Sequence, residues 1–119
     1  MKPYVVRRLG LGPERAANGV EMTRLLERAL AEELPVEVGV AVDDWCGDGP
    51  GTYWMTLRPE DRVRLAYLTG GGRVAEFRGT AAEAVAFLRR LWGARDAVRA
   101  VLAWKEGDCD HYLILHRRV

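Results

Sequence analysis

The chain has 119 residues, about half of them apolar, and a formal net charge of +1 from 18 basic and 17 acidic side chains. This composition predicts one folded domain, residues 1–119, with a single core, and it excludes a disordered chain. No apolar run approaches the roughly 18 residues of a membrane span, and no secretory apolar region follows Met1. We therefore expect a cytoplasmic protein that does not bind membranes.

The scarcity of some residue types limits the kinds of catalysis that the chain could perform. The chain has no serine, which excludes serine-nucleophile catalysis. It also has no glutamine and a single asparagine, Asn18, while arginine strongly outnumbers lysine. Few thermolabile amides are typical of a heat-adapted source. Arginine richness fits such a source and also a GC-rich genome.

The first half of the chain predicts one helix among several strands. Asn18, with Glu21 three residues later, is a helix start signal, and Pro35 is a stop signal. We predict this helix over residues 19–33, preceded by a short turn at residues 14–17. Period-two alternation of apolar residues predicts strands, here over residues 3–9, 36–42 and 52–57.

The second half predicts a hairpin, a helix and a second hairpin. Alternating residues flank Gly70–Gly72, and a three-residue loop would place Leu65 opposite Phe77, apolar beside apolar, with glycine at the position that needs a positive φ. Thr80 and Glu83 form a capping box for the helix, which ends at Gly93. The terminal hairpin spans residues 97–105 and 109–117, and we pair Trp104 with Cys109.

The predicted element order is β-α-β-β-β-β-α-β-β. Because hairpins dominate, we expect a mostly antiparallel sheet with two helices packed on one face, which is an α+β domain. The sequence shows no repeat, linker or low-complexity segment.

One candidate site combines a turn-rich loop with a strand near the C-terminus: Asp44, Cys46, Asp48, Cys109 and His111. The loop partly resembles a calcium loop, but Met55 occupies the position of the required glutamate. Cys109 and His111 would share one strand face, as zinc ligands can. A Cys46–Cys109 disulfide, or Cys46 as a nucleophile beside His111, is a further alternative. The simpler interpretation is solvated aspartates, a buried thiol and a hydrogen-bonded core histidine, with no metal or cofactor.

A second candidate is an arginine-rich sheet face: Arg58, Arg62, Arg64, Arg73 and Arg78. Arg64 and Arg78 should face each other on the outer side of the first hairpin. With an aromatic such as Trp54 nearby, these arginines could bind single-stranded nucleic acid by charge and stacking. A net charge near zero favours instead a solvated face with interleaved acids.

A third candidate is apolar surface on the terminal hairpin, formed by Val101, Tyr112 and Ile114. In our pairing Val101 lies opposite Tyr112, and all three point away from the core. A face this apolar normally contacts a partner, most commonly a second copy of the chain. We therefore expect a non-catalytic binding domain that acts through a protein partner or as a homodimer. A nucleic-acid-binding module and a Cys/His metal or thiol protein are the alternatives.

Overall fold

The computed structural model describes residues 2–8, 12–44 and 47–118. Within these residues the chain forms eight strands and two helices: β1 (Tyr4–Arg7), β2 (Glu14–Ala16), α1 (Gly19–Leu30), β3 (Val36–Val42), β4 (Gly51–Leu57), β5 (Arg62–Thr69), β6 (Val74–Thr80), α2 (Ala81–Gly93), β7 (Ala97–Glu106) and β8 (Cys109–His116). The predicted α+β class is confirmed. Neither of the described helices is long and apolar enough to cross a lipid bilayer.

The strands divide into two antiparallel sheets of four, where a single sheet was expected. The first sheet has the order β2-β1-β3-β4 and the second β6-β5-β7-β8. The strand β2 was predicted as a turn. It pairs antiparallel with β1, placing Ala16 opposite Tyr4. Three residues are too few to show a period-two pattern, so the sequence did not reveal this strand.

Each sheet has one face covered by a helix. Helix α1 packs on β1 and β2 and reaches β8, α2 packs on β5, β6 and β7, and the two helices pack on each other. One continuous apolar core joins both sheets and both helices. Its fully buried side chains include Met22 and Leu26 of α1, Met55 of β4 and Leu113 of β8.

Both helices begin where their capping residues predict. The Asn18 side chain accepts a hydrogen bond from the Glu21 backbone N–H at 3.0 Å, and Thr80 and Glu83 form the complete capping box. Helix α1 ends at Leu30, three residues earlier than expected, so Pro35 follows its end and does not cause it. Gly19 permits close packing on β8, because a Cβ there would lie 2.6 Å from the His116 carbonyl oxygen.

The register of the first hairpin was predicted correctly and that of the second was not. Leu65 faces Phe77 across a three-residue loop, and Gly72 has a φ of 85°. In the terminal hairpin Trp104 faces His111, where Cys109 was expected. The turn consists of only residues 107 and 108, with Gly107 at a φ of 61°. Val101 therefore lies opposite Ile114, not Tyr112, although the same residues still face outward.

Candidate functional site

The predicted thiol and loop residues do not gather into one site among the described residues. Cys46 lies outside the described residues. Asp44 and Asp48 are exposed, and the Asp44 carboxylate accepts a hydrogen bond from the Gly49 backbone N–H at 3.0 Å, which stabilises the loop. Cys109 is a free thiol and is exposed, not buried, because it lies at the turn, beyond the edge of the core. In residues 2–8, 12–44 and 47–118, no group of three or more His, Cys, Asp or Glu side chains is placed to hold a metal ion.

His111 is buried, and protein groups contact both of its ring nitrogens. Nδ1 lies 3.1 Å from the Tyr53 hydroxyl oxygen, and Nε2 lies 2.9 Å from a Glu106 carboxylate oxygen. The imidazole also packs edge-on against the Tyr53 ring and is tilted against the Trp104 ring. His111 therefore links β4 of the first sheet to β7 and β8 of the second.

The same contact region provides hydrogen-bond partners for backbone groups of β4, at the edge of the first sheet. The Thr56 N–H donates to Glu106 at 3.0 Å, and the Trp104 indole N–H donates to the Thr56 carbonyl oxygen at 2.9 Å. The hydrogen bond from Thr56, followed by that from His111, lowers the pKa of Glu106. We interpret Tyr53, His111 and Glu106 as a polar cluster that holds the two sheets together.

The structure divides the predicted arginine face. Arg62, Arg64 and Arg78 point outward at one end of the second sheet, and Arg64 lies directly opposite Arg78, as predicted. Arg58 precedes β5 in a turn, where its backbone N–H donates to Asp61. Arg73 lies in the hairpin loop at the far end of the sheet. The five arginines therefore do not form one continuous track.

The aromatic side chains near these arginines also differ from the prediction. Trp54 lies on the first sheet, where the Arg7 guanidinium carbon is 3.7 Å from the centroid of its ring. The exposed aromatic of the second sheet is Tyr112, whose side chain is 57% exposed. It faces Ala103 on β7, and Ala103 faces Arg64 on β5.

We define the open face as the outward residues of the second sheet, on the side opposite α2. Its middle is an apolar row in which Ala66, Val101 and Ile114 lie side by side on β5, β7 and β8. Val74, further along, is 77% exposed, and Ile114 is 50% exposed. Within the described part of the chain, no helix packs on this side of the sheet. All three residues of the predicted self-association surface belong to the open face.

Positive charge is concentrated at one end of the open face. We define the cationic end as Arg62, Arg64, Arg78 and Lys105, which border a concavity of about 690 Å³. Asp110, the single acid among the described lining residues, pairs with Lys105 at 3.8 Å. Arg78 pairs with Glu76 on its own strand, and Arg62 lies near Glu83 of α2. Arg64 makes no ion pair with any described residue.

Two of these residues could have been found from the sequence, and one could not. Lys105 and Arg99 alternate with Val101 and Ala103, so the period-two pattern of β7 already places them on the outer face. Glu106 is only five residues from His111, and its contact was missed because the turn between β7 and β8 was predicted too long. Tyr53 is 58 residues away from His111 in sequence, and no local pattern indicates such a contact.

Comparison with known proteins provides no relative for this chain. No protein-family model, no curated protein and no solved structure matches it. Its function must therefore be inferred from its own surface and contacts.

Proposed function

We propose that the chain is a non-catalytic binding domain that docks an acidic surface of a partner protein on its open face. The observation that carries this proposal is the combination, on one uncovered sheet face, of an apolar row and an excess of positive charge. We further propose that it acts in the cytoplasm, where reducing conditions keep an exposed thiol such as Cys109 free.

Burial of the apolar row by a partner would favour binding. Ile114 and Val74 are at least half exposed on a sheet surface where each could be covered by a partner. Removing apolar area from water stabilises a complex by roughly 25 cal/mol per Å². Contiguous apolar patches on a protein surface commonly mark interaction sites.

The charge distribution of the open face indicates which kind of partner surface would bind there. Among the described residues, the open face carries five basic side chains, Arg62, Arg64, Arg78, Arg99 and Lys105, and two acidic ones, Glu76 and Asp110. This is an excess of three positive charges in a chain whose formal net charge is only +1, so the remaining surface is net acidic. An acidic partner surface is complementary to this face, and complementarity raises both the association rate and the specificity.

A second copy of the chain fits the open face less well. A two-fold axis brings the same patch of both subunits together, so a face with an excess of three positive charges would meet another of the same sign. Both acidic residues of the face are already paired with its own basic residues. Like charges across an interface oppose association.

Single-stranded nucleic acid is also a weaker fit. Such sites combine a basic groove along the strand with several aromatic stacking platforms. In the described part of the chain, the cationic end has one exposed aromatic neighbour, Tyr112, and Arg73 lies at the opposite end of the sheet.

The test uses a synthetic peptide that alternates glutamate with leucine, and a control peptide that alternates lysine with leucine. Fluorescence anisotropy should show binding of the acidic peptide to the wild type and about tenfold weaker binding to Arg64→Glu and to Ile114→Thr. Matched controls are Arg24→Glu and Leu34→Thr. Arg24 is exposed on α1, and Leu34 is 56% exposed outside the open face. Both controls should bind as the wild type does.

Three results would overturn the proposal. The first is equal binding of the acidic and basic peptides, and the second is tighter binding of single-stranded DNA or RNA than of the acidic peptide. The third is a wild-type dimer by analytical ultracentrifugation that dissociates in Ile114→Thr, because the open face would then serve self-association.

A further inference from the structure

Two arginines lie directly opposite each other on the open face. Arg64 on β5 and Arg78 on β6 are direct cross-strand partners and point outward. Like charges in directly opposed positions destabilise a sheet. Glu76 compensates Arg78, but no described residue forms an ion pair with Arg64. The Arg64 charge is therefore left without an ion-pair partner among the described residues, and an anion from outside could neutralise it.

The surroundings of this pair extend the same charge. Arg62 and Lys105 border the same concavity of about 690 Å³, which lies within the 300–1,000 Å³ range usual for ligand pockets. Of the lining residues that the structure describes, Asp110 is the only acid, and it lies 3.8 Å from Lys105, so it is already paired. Alanine at position 103, between Arg64 and Tyr112, leaves room above the sheet.

The net charge of the cationic end indicates a dianion, because its four basic side chains, with Glu76 and Asp110 beside them, leave an excess of two positive charges. A carboxylate carries one charge and pairs well with a single guanidinium, whereas a phosphate monoester carries about −1.5 to −2 at pH 7 and three acceptor oxygens. Neighbouring strands are about 4.8 Å apart, so the guanidinium groups of Arg64 and Arg78 can both reach one phosphate. We infer that the cationic end binds a phosphate monoester presented by the partner, such as a phosphorylated side chain. This inference rests on the proposed function.

The test compares the glutamate–leucine peptide carrying one serine with the same peptide phosphorylated on that serine. Phosphorylation should tighten binding to the wild type by about tenfold. Arg64→Gln and Arg78→Gln should abolish this gain, whereas Arg24→Gln, an equal loss of charge on α1, should preserve it. Inorganic phosphate should compete with the phosphopeptide more strongly than chloride at equal ionic strength. Circular dichroism should show that the exposed substitutions leave the fold intact.

The outcomes separate this inference from the proposed function. Equal binding of the two peptides would overturn the phosphate site and leave the acidic-partner proposal standing. A different result would be that inorganic phosphate causes saturable amide shifts at residues 64 and 78 while neither peptide binds. This result would show a site for free phosphate. It would overturn both the proposal that a partner presents the phosphate and the proposed function. An absence of both peptide binding and amide shifts would overturn both. Tighter binding of single-stranded RNA than of the phosphopeptide would assign the site to phosphodiesters instead.

Discussion

A buried hydrogen bond between the two helices gives the sharpest test of the fold. Thr23 of α1 is fully buried, and its hydroxyl donates to the Gly19 carbonyl oxygen at 2.7 Å. The same hydroxyl accepts from the indole N–H of Trp92 on α2 at 2.8 Å, and Trp92 is only 2% exposed. The bond therefore joins the helices that cover the two sheets.

Thr23→Val removes this acceptor with almost no change in side-chain volume. The Trp92 indole N–H then remains buried without a partner, and an unsatisfied buried donor costs about 1–3 kcal/mol. Valine and threonine differ little in helix propensity, so propensity does not offset this loss. We expect the free energy of unfolding to fall by about 2 kcal/mol. For a chain of 119 residues this corresponds to roughly 8 °C in Tm.

A double-mutant cycle isolates the hydrogen bond. Trp92→Phe removes the indole donor and lowers stability by itself, because it leaves unfilled space in the core. In that background Thr23→Val leaves no orphaned N–H, so its cost should fall below about 0.5 kcal/mol. Urea unfolding of the four proteins measures the coupling. The contact is refuted if Thr23→Val costs the same with phenylalanine at position 92 as with tryptophan.

Three further predictions address the helix cap, the polar cluster and the open face. Thr80→Ala should lower the free energy of unfolding by about 1 kcal/mol in urea unfolding, because α2 loses its capping box. Because the hydrogen bond from Thr56 lowers the pKa of Glu106 from its ordinary value in the folded state, the contribution of Glu106 to stability is present above the unfolded pKa and is lost as the pH falls through the folded pKa. Glu106→Gln should therefore weaken the loss of stability at acid pH, measured by urea unfolding across pH, and an unchanged loss of stability at acid pH would contradict this. Arg64→Glu should raise Tm at low salt by creating a cross-strand pair with Arg78, and calorimetry should find the gain abolished in 1 M salt.

Features decided by neighbours in sequence were predictable. The capping box links residues three apart, and its geometry depends only on the local backbone. The register of β5 and β6 follows from a three-residue loop in which glycine supplies the positive φ. The outward positions of Arg64, Arg78 and Ile114 follow from period two alone, because successive side chains of a strand point to opposite faces.

The terminal hairpin shows where this reasoning fails. A shift of two residues in register keeps every side chain on its face, so the alternation of β7 and β8 fits equally well with Trp104 opposite Cys109 or His111. The two-residue turn selects the second pairing. The apolar surface was therefore identified correctly although its cross-strand partners were not.

Tertiary packing decided the remaining features. In the sequence, Thr23 is a polar residue beside the apolar stripe of a helix, and nothing local indicates its burial. It is buried because α2 packs against it. The contact of Tyr53 with His111 depends on the packing of one sheet against the other. The sequence determined which side chains share a sheet face, because that depends on backbone periodicity. Which face α2 covers and which stays open was decided by long-range packing, since burial of the core depends on every element at once.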